Sequence, residues 1–342
     1  MRSTAAPCRV VVVDDDDAMR DLLSAHLARL GHIVSAHSRA ADAIGYRYVS
    51  AVLDRGRGVA EITVSGPDAD APASMDEVRA LGEAFWTLAM ARELDDLILD
   101  LRTNEPEIGA WVLRTQGSAE RVLACDALLL ANAATDWLAN EVVLYLKRTL
   151  KRLDVTSRSL IALVEPGSCL AGSLLELAMA ADRSFMLSGV FEDVDPDAVP
   201  AALTVGAMNL GPLPMGNGLT RLQTRFLGDP DTLAAAEKSA GDPLEAGDAE
   251  ALGLVTFAPD DIDWDDEVRL ALEERASFSP DALTGLEANY RFAGPETMET
   301  KIFGRLSAWQ NWIFYRPNAS GPDGALRAYG TGKRADFDRK RV

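Results

Sequence analysis

The sequence predicts an α/β fold with a mostly parallel sheet at its core and a helical region at the C-terminal end. Between residues 46 and 258, short apolar runs alternate with amphipathic segments of helical period, which is the pattern of strand–helix–strand crossovers. After residue 259 the sequence becomes helical and then irregular. We therefore expect three parts: residues 1–45, a core over 46–258, and a helical assembly region over 259–342.

The first part has a pattern of its own. RVVVVDDDD indicates a buried strand ending in acids, DAMRDLLSAHLARLG a helix, and HIVSAHS a second strand. This order resembles the opening of a response-regulator receiver domain, where such acids hold Mg²⁺ beside a phosphorylated aspartate. Asp54 is a possible acceptor, but the first lysine is Lys147, too late for a receiver. We interpret residues 1–45 as a truncated receiver-like segment.

The core elements follow from periodicity and capping residues. YVSAVLDRGRGVAEITVSGPD predicts a hairpin that turns at residues 55–58. SMDEVRALGEAFWTLAMARELD begins at a Ser/Asp cap and predicts a helix. DLILDLR and GAWVLRTQG predict short parallel strands, and TDWLANEVVLYLKRTLKRLD a long amphipathic helix. A strand over 159–164, a turn of small residues and a helix over 172–182 complete this part.

The composition excludes several classes of function. The chain has 342 residues and a net charge of −19, a field that repels nucleic acid and anionic membranes. No apolar run approaches the ~18 residues of a membrane span, and acids directly follow the short apolar N-terminal run. Three cysteines fit a reducing compartment. We therefore expect a cytoplasmic protein that binds neither nucleic acid nor membrane.

An anionic ligand would need a local cluster of cations in so acidic a chain. The C-terminal tail supplies the candidates Arg316, Arg327, Lys333, Arg334, Arg339, Lys340 and Arg341. The tail also carries an aromatic group, which indicates an interface or core, or alternatively a ring-binding pocket: Trp309, Trp312, Phe314 and Tyr315.

The histidines restrict the chemistry of the main body. His26, His32 and His37 all precede residue 40, so a Ser-His-Asp or Cys-His arrangement cannot be built from the residues that follow. The usual zinc spacings are missing, and we expect no metal site. Proton transfer in the main body must then come from carboxylates, Cys, Tyr or backbone groups.

The order of the core elements resembles the crotonase (enoyl-CoA hydratase/isomerase) superfamily, with ββα repeats around a parallel sheet. The resemblance rests on VAEITVSGP, WVLRTQGSAERVLACDALLL, SLIALVEPGSCLAGSLLELAMAADRS and LTVGAMNLGPLPMGNGLTRL, in that order. The tail from DDIDWDDEVRLALEERASFSPDALTGLEANY to Val342 is similar to the end of the benzoyl-CoA-dihydrodiol lyase family, also called 2,3-epoxybenzoyl-CoA dihydrolases. Full-length members contain roughly two crotonase-like units, and this chain resembles the second.

The resemblance implies a lyase or hydrolase of aerobic benzoyl-CoA degradation. Such an enzyme opens the ring of 2,3-epoxybenzoyl-CoA and releases a one-carbon acid. The implied substrate is an acyl-CoA, so coenzyme A enters as part of the substrate and no covalently bound cofactor is expected. The implied assembly is a homo-oligomer or a pairing with a partner crotonase-like unit.

The stretch EPGSCLAGSLLELA carries the candidate active site. An enolate-like thioester oxygen is stabilised by two backbone N–H groups, one of them at a helix N-terminus, and small residues let a ligand touch the backbone. By resemblance, Ser173 and Gly172 supply one donor, Cys125 lies where the other is expected, and Glu176 matches an acid/base glutamate. The candidate substrate-binding residues are Cys169, Asp126, Asn209 and Gly211.

Two departures favour a different class of function. The usual Gly-Gly-Gly is Gly172-Ser173-Leu174 here, and Ala207 stands where the superfamily has a second glutamate. One carboxylate alone cannot easily divide acid and base roles. The main alternative is a non-catalytic crotonase-like half that supports a partner unit. Glu176 would then be a structural acid, paired to Arg183 or capping a nearby group. A phospho-receiver fused to a CoA sensor is a third interpretation.

Overall fold

The computed structural model describes residues 9–14, 19, 22–23, 25–27 and 33–341. Most of the helix predicted between the first two strands lies outside the described residues. Within these residues, eight strands form one sheet, and strands that follow each other along the chain pair with each other. They are β1 (Arg9–Asp14), β2 (Ile33–Ala40), β3 (Ala43–Gly45), β4 (Val49–Asp54), β5 (Val59–Ser65), β6 (Ala110–Gln116), β7 (Ser159–Val164) and β8 (Arg183–Met186).

The pairing directions divide the sheet. The pairs β2–β3, β3–β4 and β4–β5 are antiparallel, whereas β5–β6, β6–β7 and β7–β8 are parallel, as is β1–β2. The predicted hairpin is confirmed, with Asp54 opposite Val59 across the turn. Asp54 accepts the N–H of Arg57 at 2.9 Å, and β4 is antiparallel to both neighbours. A receiver needs a parallel acceptor strand, so this use of Asp54 does not match that interpretation.

The parallel strands are joined by helices on one face of the sheet. These are α1 (Met75–Leu81), α2 (Trp86–Asn104), α3 (Ala119–Asn132), α4 (Trp137–Asp154) and α5 (Gly172–Ala180). Capping fixes where they begin, because the side chains of Ser74, Ser118 and Asp136 each accept a backbone N–H of the first turn. The predicted strand DLILDLR is wrong. It is the second half of α2, where Leu94, Ile98 and Leu101 recur on one buried face.

The rest of the chain is mostly helical. It contains β9 (Leu203–Thr204) antiparallel to β10 (Pro243–Leu244), and a 3₁₀ helix at Ala207–Leu210. The α-helices are α6 (Arg221–Arg225), α7 (Pro230–Lys238), α8 (Ala246–Ala251), α9 (Trp264–Ser277), α10 (Pro280–Arg291), α11 (Ser307–Phe314), α12 (Pro317–Ser320) and α13 (Ala325–Ala328), with a π-helix at Thr300–Leu306 before α11.

Both faces of the sheet are covered. One core cluster fills the space between the sheet and helices α2 to α5, and a second packs Trp264 and Leu272 of α9 against Val112 and Leu163. The predicted C-terminal part therefore supplies one wall of the core. Residues 39–45, the end of the predicted first part, also contact the core. Ile44 is 2% exposed within the main core cluster, and Arg39 forms an ion pair with Glu105. No helix in the described residues is long and apolar enough to cross a membrane.

Candidate active site around Glu176

The start of helix α5 lies in a tightly packed corner. Strand β7 is buried along its whole length, and the chain then turns through small residues to Gly172, whose φ is +48°. A Cβ at Gly172 would lie 2.2 Å from Oδ2 of Asp126. Glycine is therefore required here both by the backbone conformation and by the carboxylate beside it.

The N–H of Ser173, the predicted donor, is already occupied. It donates to Oδ2 of Asp126 at 2.7 Å. Asp126 is 3% exposed, and its Oδ1 and the Ser173 hydroxyl have no partner among the described residues. Burial raises the pKa of Asp126 to about 7; the hydrogen bond from the Ser173 N–H opposes that rise, and the charge of Glu176 reinforces it. A carboxylate thus stands where the resemblance implies a thioester oxygen.

Glu176 is enclosed by hydrogen-bond donors. It is 1% exposed; Asn209 donates to its Oε1 at 2.6 Å and Arg221 to its Oε2 at 2.5 Å. Burial raises the pKa of Glu176, while the Arg221 charge and the two hydrogen bonds oppose that rise. The predicted pairing with Arg183 is wrong, because Arg183 contacts Glu274 at 2.7 Å. The prediction that Glu176 has an ion-pair partner holds with Arg221 instead.

Arg221 joins Glu176 to a second buried acid. Its Nε and Nη2 donate to the two carboxylate oxygens of Asp154 at 3.0 and 2.6 Å. Burial raises the pKa of Asp154 as well. Asp154 ends α4 on that helix's buried face, and Arg221 opens α6 after the Thr220 cap. Neither residue was predicted from the sequence, although an acid and an arginine among apolar neighbours are signals of a buried pair.

Asn209 connects the two segments of the site. Its amide donates to Glu176 and to the Gly172 carbonyl at 2.9 Å, and its oxygen accepts the Gly206 N–H at 2.8 Å. Two residues close to it in sequence, Ala207 and Gly211, are exposed. The structure thus brings Asn209 to Glu176, and it places Gly211 outside the buried cluster.

Cys125 and Cys169, the two cysteines within the described residues, are buried. Burial raises the pKa of Cys169 to about 11 and that of Cys125 to about 12, so both are thiols at neutral pH. The Cys169 N–H donates to Thr115 at 3.0 Å. Cys125 lies in the middle of α3, where a backbone N–H bonds to the carbonyl four residues earlier. In this arrangement Cys125 does not offer a free donor to a ligand.

A cavity of about 370 Å³ reaches this cluster from one side. Asp154 and Arg221 line it, together with Met179, Met215 and Tyr290, whereas Glu176 and Asp126 do not. Arg221 therefore lies between the cavity and Glu176. Among the described residues there is no group of three or more His, Cys, Asp or Glu side chains placed to hold a metal.

Comparison with known proteins identifies the fold. No family model matches the chain. It is 53% identical over 308 residues to benzoyl-CoA-dihydrodiol lyase of Aromatoleum evansii, a match that covers 89% of this chain and 54% of that protein. The chain thus spans about half the length of this curated relative.

Solved structures of enoyl-CoA hydratases share the fold of this chain. An enoyl-CoA hydratase from Geobacillus kaustophilus HTA426 matches with a TM-score of 0.61 and 16% identity, over 87% of this chain and 98% of that one. An enoyl-CoA hydratase/isomerase from Cupriavidus metallidurans CH34 matches with a TM-score of 0.58 and 17% identity, over 84% and 95%. The predicted crotonase-like fold and the resemblance to benzoyl-CoA-dihydrodiol lyase are confirmed.

Proposed function

We propose that this chain is one crotonase-fold unit of an acyl-CoA lyase of the benzoyl-CoA-dihydrodiol lyase type. The observation that carries the proposal is the 53% identity over 89% of the chain. The proposed reaction opens the ring of 2,3-epoxybenzoyl-CoA and releases a one-carbon acid. The proposed substrate is therefore an aryl-CoA thioester, and coenzyme A enters as part of it rather than as a bound cofactor.

Within that reaction, the chemistry this unit could offer centres on Glu176 and the Ser173 N–H. A general acid or base must reach the substrate, and an oxyanion needs a donor without a competing acceptor. Here Glu176 is held by Arg221 and Asn209, and Asp126 occupies the Ser173 N–H. A catalytic role would require Asp126 to be displaced or protonated when the thioester binds.

The same contacts favour a second candidate, a unit that supports a partner catalytic unit without chemistry of its own. In this role Glu176 is a structural acid, buried and paired with Arg221. Ala207 is exposed and does not supply the second carboxylate of the superfamily. The C-terminal part of the unit is the proposed surface for a partner. Tyr290, Phe303 and Tyr315 are 74, 75 and 88% exposed there, and exposed large apolar side chains can mark an interface.

The experiment compares this chain alone with this chain joined to the part of the Aromatoleum evansii relative that it does not match. Release of the one-carbon acid from 2,3-epoxybenzoyl-CoA is measured for wild type and Glu176→Gln in both settings. If this unit is catalytic, Glu176→Gln lowers turnover ~100-fold or more with aryl-CoA binding nearly unchanged.

The supporting role predicts a different set of results. The chain alone is inactive, and the joined protein keeps its turnover in Glu176→Gln. Calorimetric titration of the chain with benzoyl-CoA separates binding from chemistry. If the joined protein releases no one-carbon acid at all, the assignment to this lyase type is wrong.

A further inference from the structure

A second cavity, of about 470 Å³, lies at the opposite end of the sheet from Glu176. It is lined by Val59 and Ala110, the first residues of β5 and β6, whereas α5 follows the last residue of the parallel strand β7. Parallel strands share their direction, so the two places are separated by the length of the strands. The cavity is therefore not part of the site around Glu176.

One wall of this cavity is the extended C-terminal tail, which is held in place by defined contacts. The Arg341 N–H donates to the Pro106 carbonyl at 2.8 Å, and Asn318 exchanges hydrogen bonds with the backbone of Asp338 at 2.9 and 3.1 Å. Arg339 donates to the Gly56 carbonyl at 3.1 Å. The tail thus closes a space between the sheet and helix α9 instead of leaving it open.

The interior surface of the cavity is largely apolar. The opposite wall is formed by the ends of β5 and β6 and by helices α9 and α10. The apolar side chains that line it are Val59, Ala110, Leu272, Phe278, Leu283 and Phe337. A volume of this size falls within the ~300–1,000 Å³ of small-molecule sites, and such a surface suits an aromatic or aliphatic body.

The charges around the cavity are the reverse of those on the whole protein. The lining contains five arginines and only two acids, Glu107 and Asp336. The whole chain, by contrast, has a net charge of −19. Two of the arginines are engaged elsewhere, since Arg341 and Arg275 approach the buried Glu287 at 3.2 and 3.6 Å. The other three, Arg57, Arg334 and Arg339, form no ion pair within 4.0 Å in the described part of the chain.

We propose that this cavity binds an amphipathic organic anion, with its apolar body between β5, β6 and α9 and its acidic head towards Arg57, Arg334 and Arg339. Guanidinium groups recognise carboxylate, phosphate and sulfonate oxygens through paired N–H donors. An apolar pocket with a few convergent cations selects for both halves of such a ligand. The proposal is independent of the lyase activity, because it uses none of the residues around Glu176.

The test uses 8-anilinonaphthalene-1-sulfonate, a fluorescent aromatic anion, and N-phenyl-1-naphthylamine, an uncharged relative with the same rings. The purified chain should bind one equivalent of the sulfonate, and more tightly than the amine. Removing two cations in Arg57→Ala/Arg334→Ala should weaken sulfonate binding ~10-fold or more and leave amine binding unchanged. Arg327→Ala/Lys333→Ala is the matched control, because it removes two tail cations that do not line the cavity.

A third variant locates the dye. Ala276 lies on α9 and lines the cavity, so Ala276→Trp should fill the space and abolish binding of both probes. Thermal melting of every variant shows whether it is folded. The proposal is overturned if the arginine pair can be removed without loss of sulfonate affinity, or if the control variant loses as much. Binding of several equivalents, or binding that survives Ala276→Trp, would also overturn it.

Discussion

Replacing Arg221 with methionine isolates the contribution of the buried charges around Glu176. Arg221 and both of its acidic partners are 2% exposed or less. Methionine keeps much of the apolar stem and removes the guanidinium, which leaves two buried carboxylates without their shared cation. Removing one partner from a buried ion pair costs about 3–5 kcal/mol, because the remaining charge stays desolvated.

The expected effect is large enough to measure by thermal unfolding. For a chain of this length, unfolding as one unit, 3–5 kcal/mol corresponds to a loss of about 4–7 °C in Tm. Arg225→Met is the matched control on the same helix, since Arg225 donates to the Gly253 carbonyl at 2.6 Å and forms no ion pair within the described residues. Losing that hydrogen bond is expected to cost about 1–2 kcal/mol.

The pH dependence gives an independent check. Burial raises the pKa of both Glu176 and Asp154. A carboxyl whose pKa is raised on folding stabilises the fold fully below its unfolded pKa, and this contribution is lost as the pH rises through the folded pKa. Without Arg221 both pKa values rise further, so the deficit of Arg221→Met should be larger at pH 8.5 than at pH 5.5. An equal deficit in the two arginine variants, or one that does not change with pH, would refute the reasoning.

Three further predictions concern other parts of the chain. Burial raises the pKa of Asp126 to about 7, above its unfolded value, so the stability of Asp126→Asn relative to wild type should increase by ~2–3 kcal/mol from pH 5 to pH 8; urea titrations that give the same difference at both pH values would contradict this. Deleting residues 1–45 should cost at least ~2 kcal/mol, because the buried Ile44 is lost with them, and an unchanged denaturation midpoint would show that the segment is dispensable. Phe303, 75% exposed, lies on the proposed partner surface, so Phe303→Asp should shift any oligomer towards monomer in light scattering without lowering Tm, and an unchanged mass would rule that surface out.

The elements set by local signals were predictable. The fully buried strand β7 has the bounds expected from the sequence, and Asp136 and Ser74 mark helix starts because their side chains accept the first N–H groups. The hairpin followed from alternation on either side of a glycine-rich turn. DLILDLR failed because seven apolar-rich residues fit a buried strand as well as a helix face, and only the preceding turns of α2 decide between them.

The partners of the site residues were beyond the sequence. Glu176 and Arg221 are 45 residues apart, and Asp126 and Ser173 are 47 apart, so no local pattern links them. The resemblance placed Ser173 and Glu176 at the start of a helix, and the structure agrees. It could not show that each is engaged by another buried group of this chain, because that depends on how α3, α4 and α6 pack around α5.

The contact between Gly172 and Gly206 makes the corner at α5 mechanically stiff. A Cβ on Gly206 would come within 2.9 Å of the Gly172 Cα, so the two backbones touch with nothing compressible between them. The segment that carries Gly206 is also tied to β10 through β9 and to α5 through Asn209. Rotating a side chain would not separate the two backbones. To move Gly206 away from Gly172, β9, β10 and the 3₁₀ helix would have to shift together.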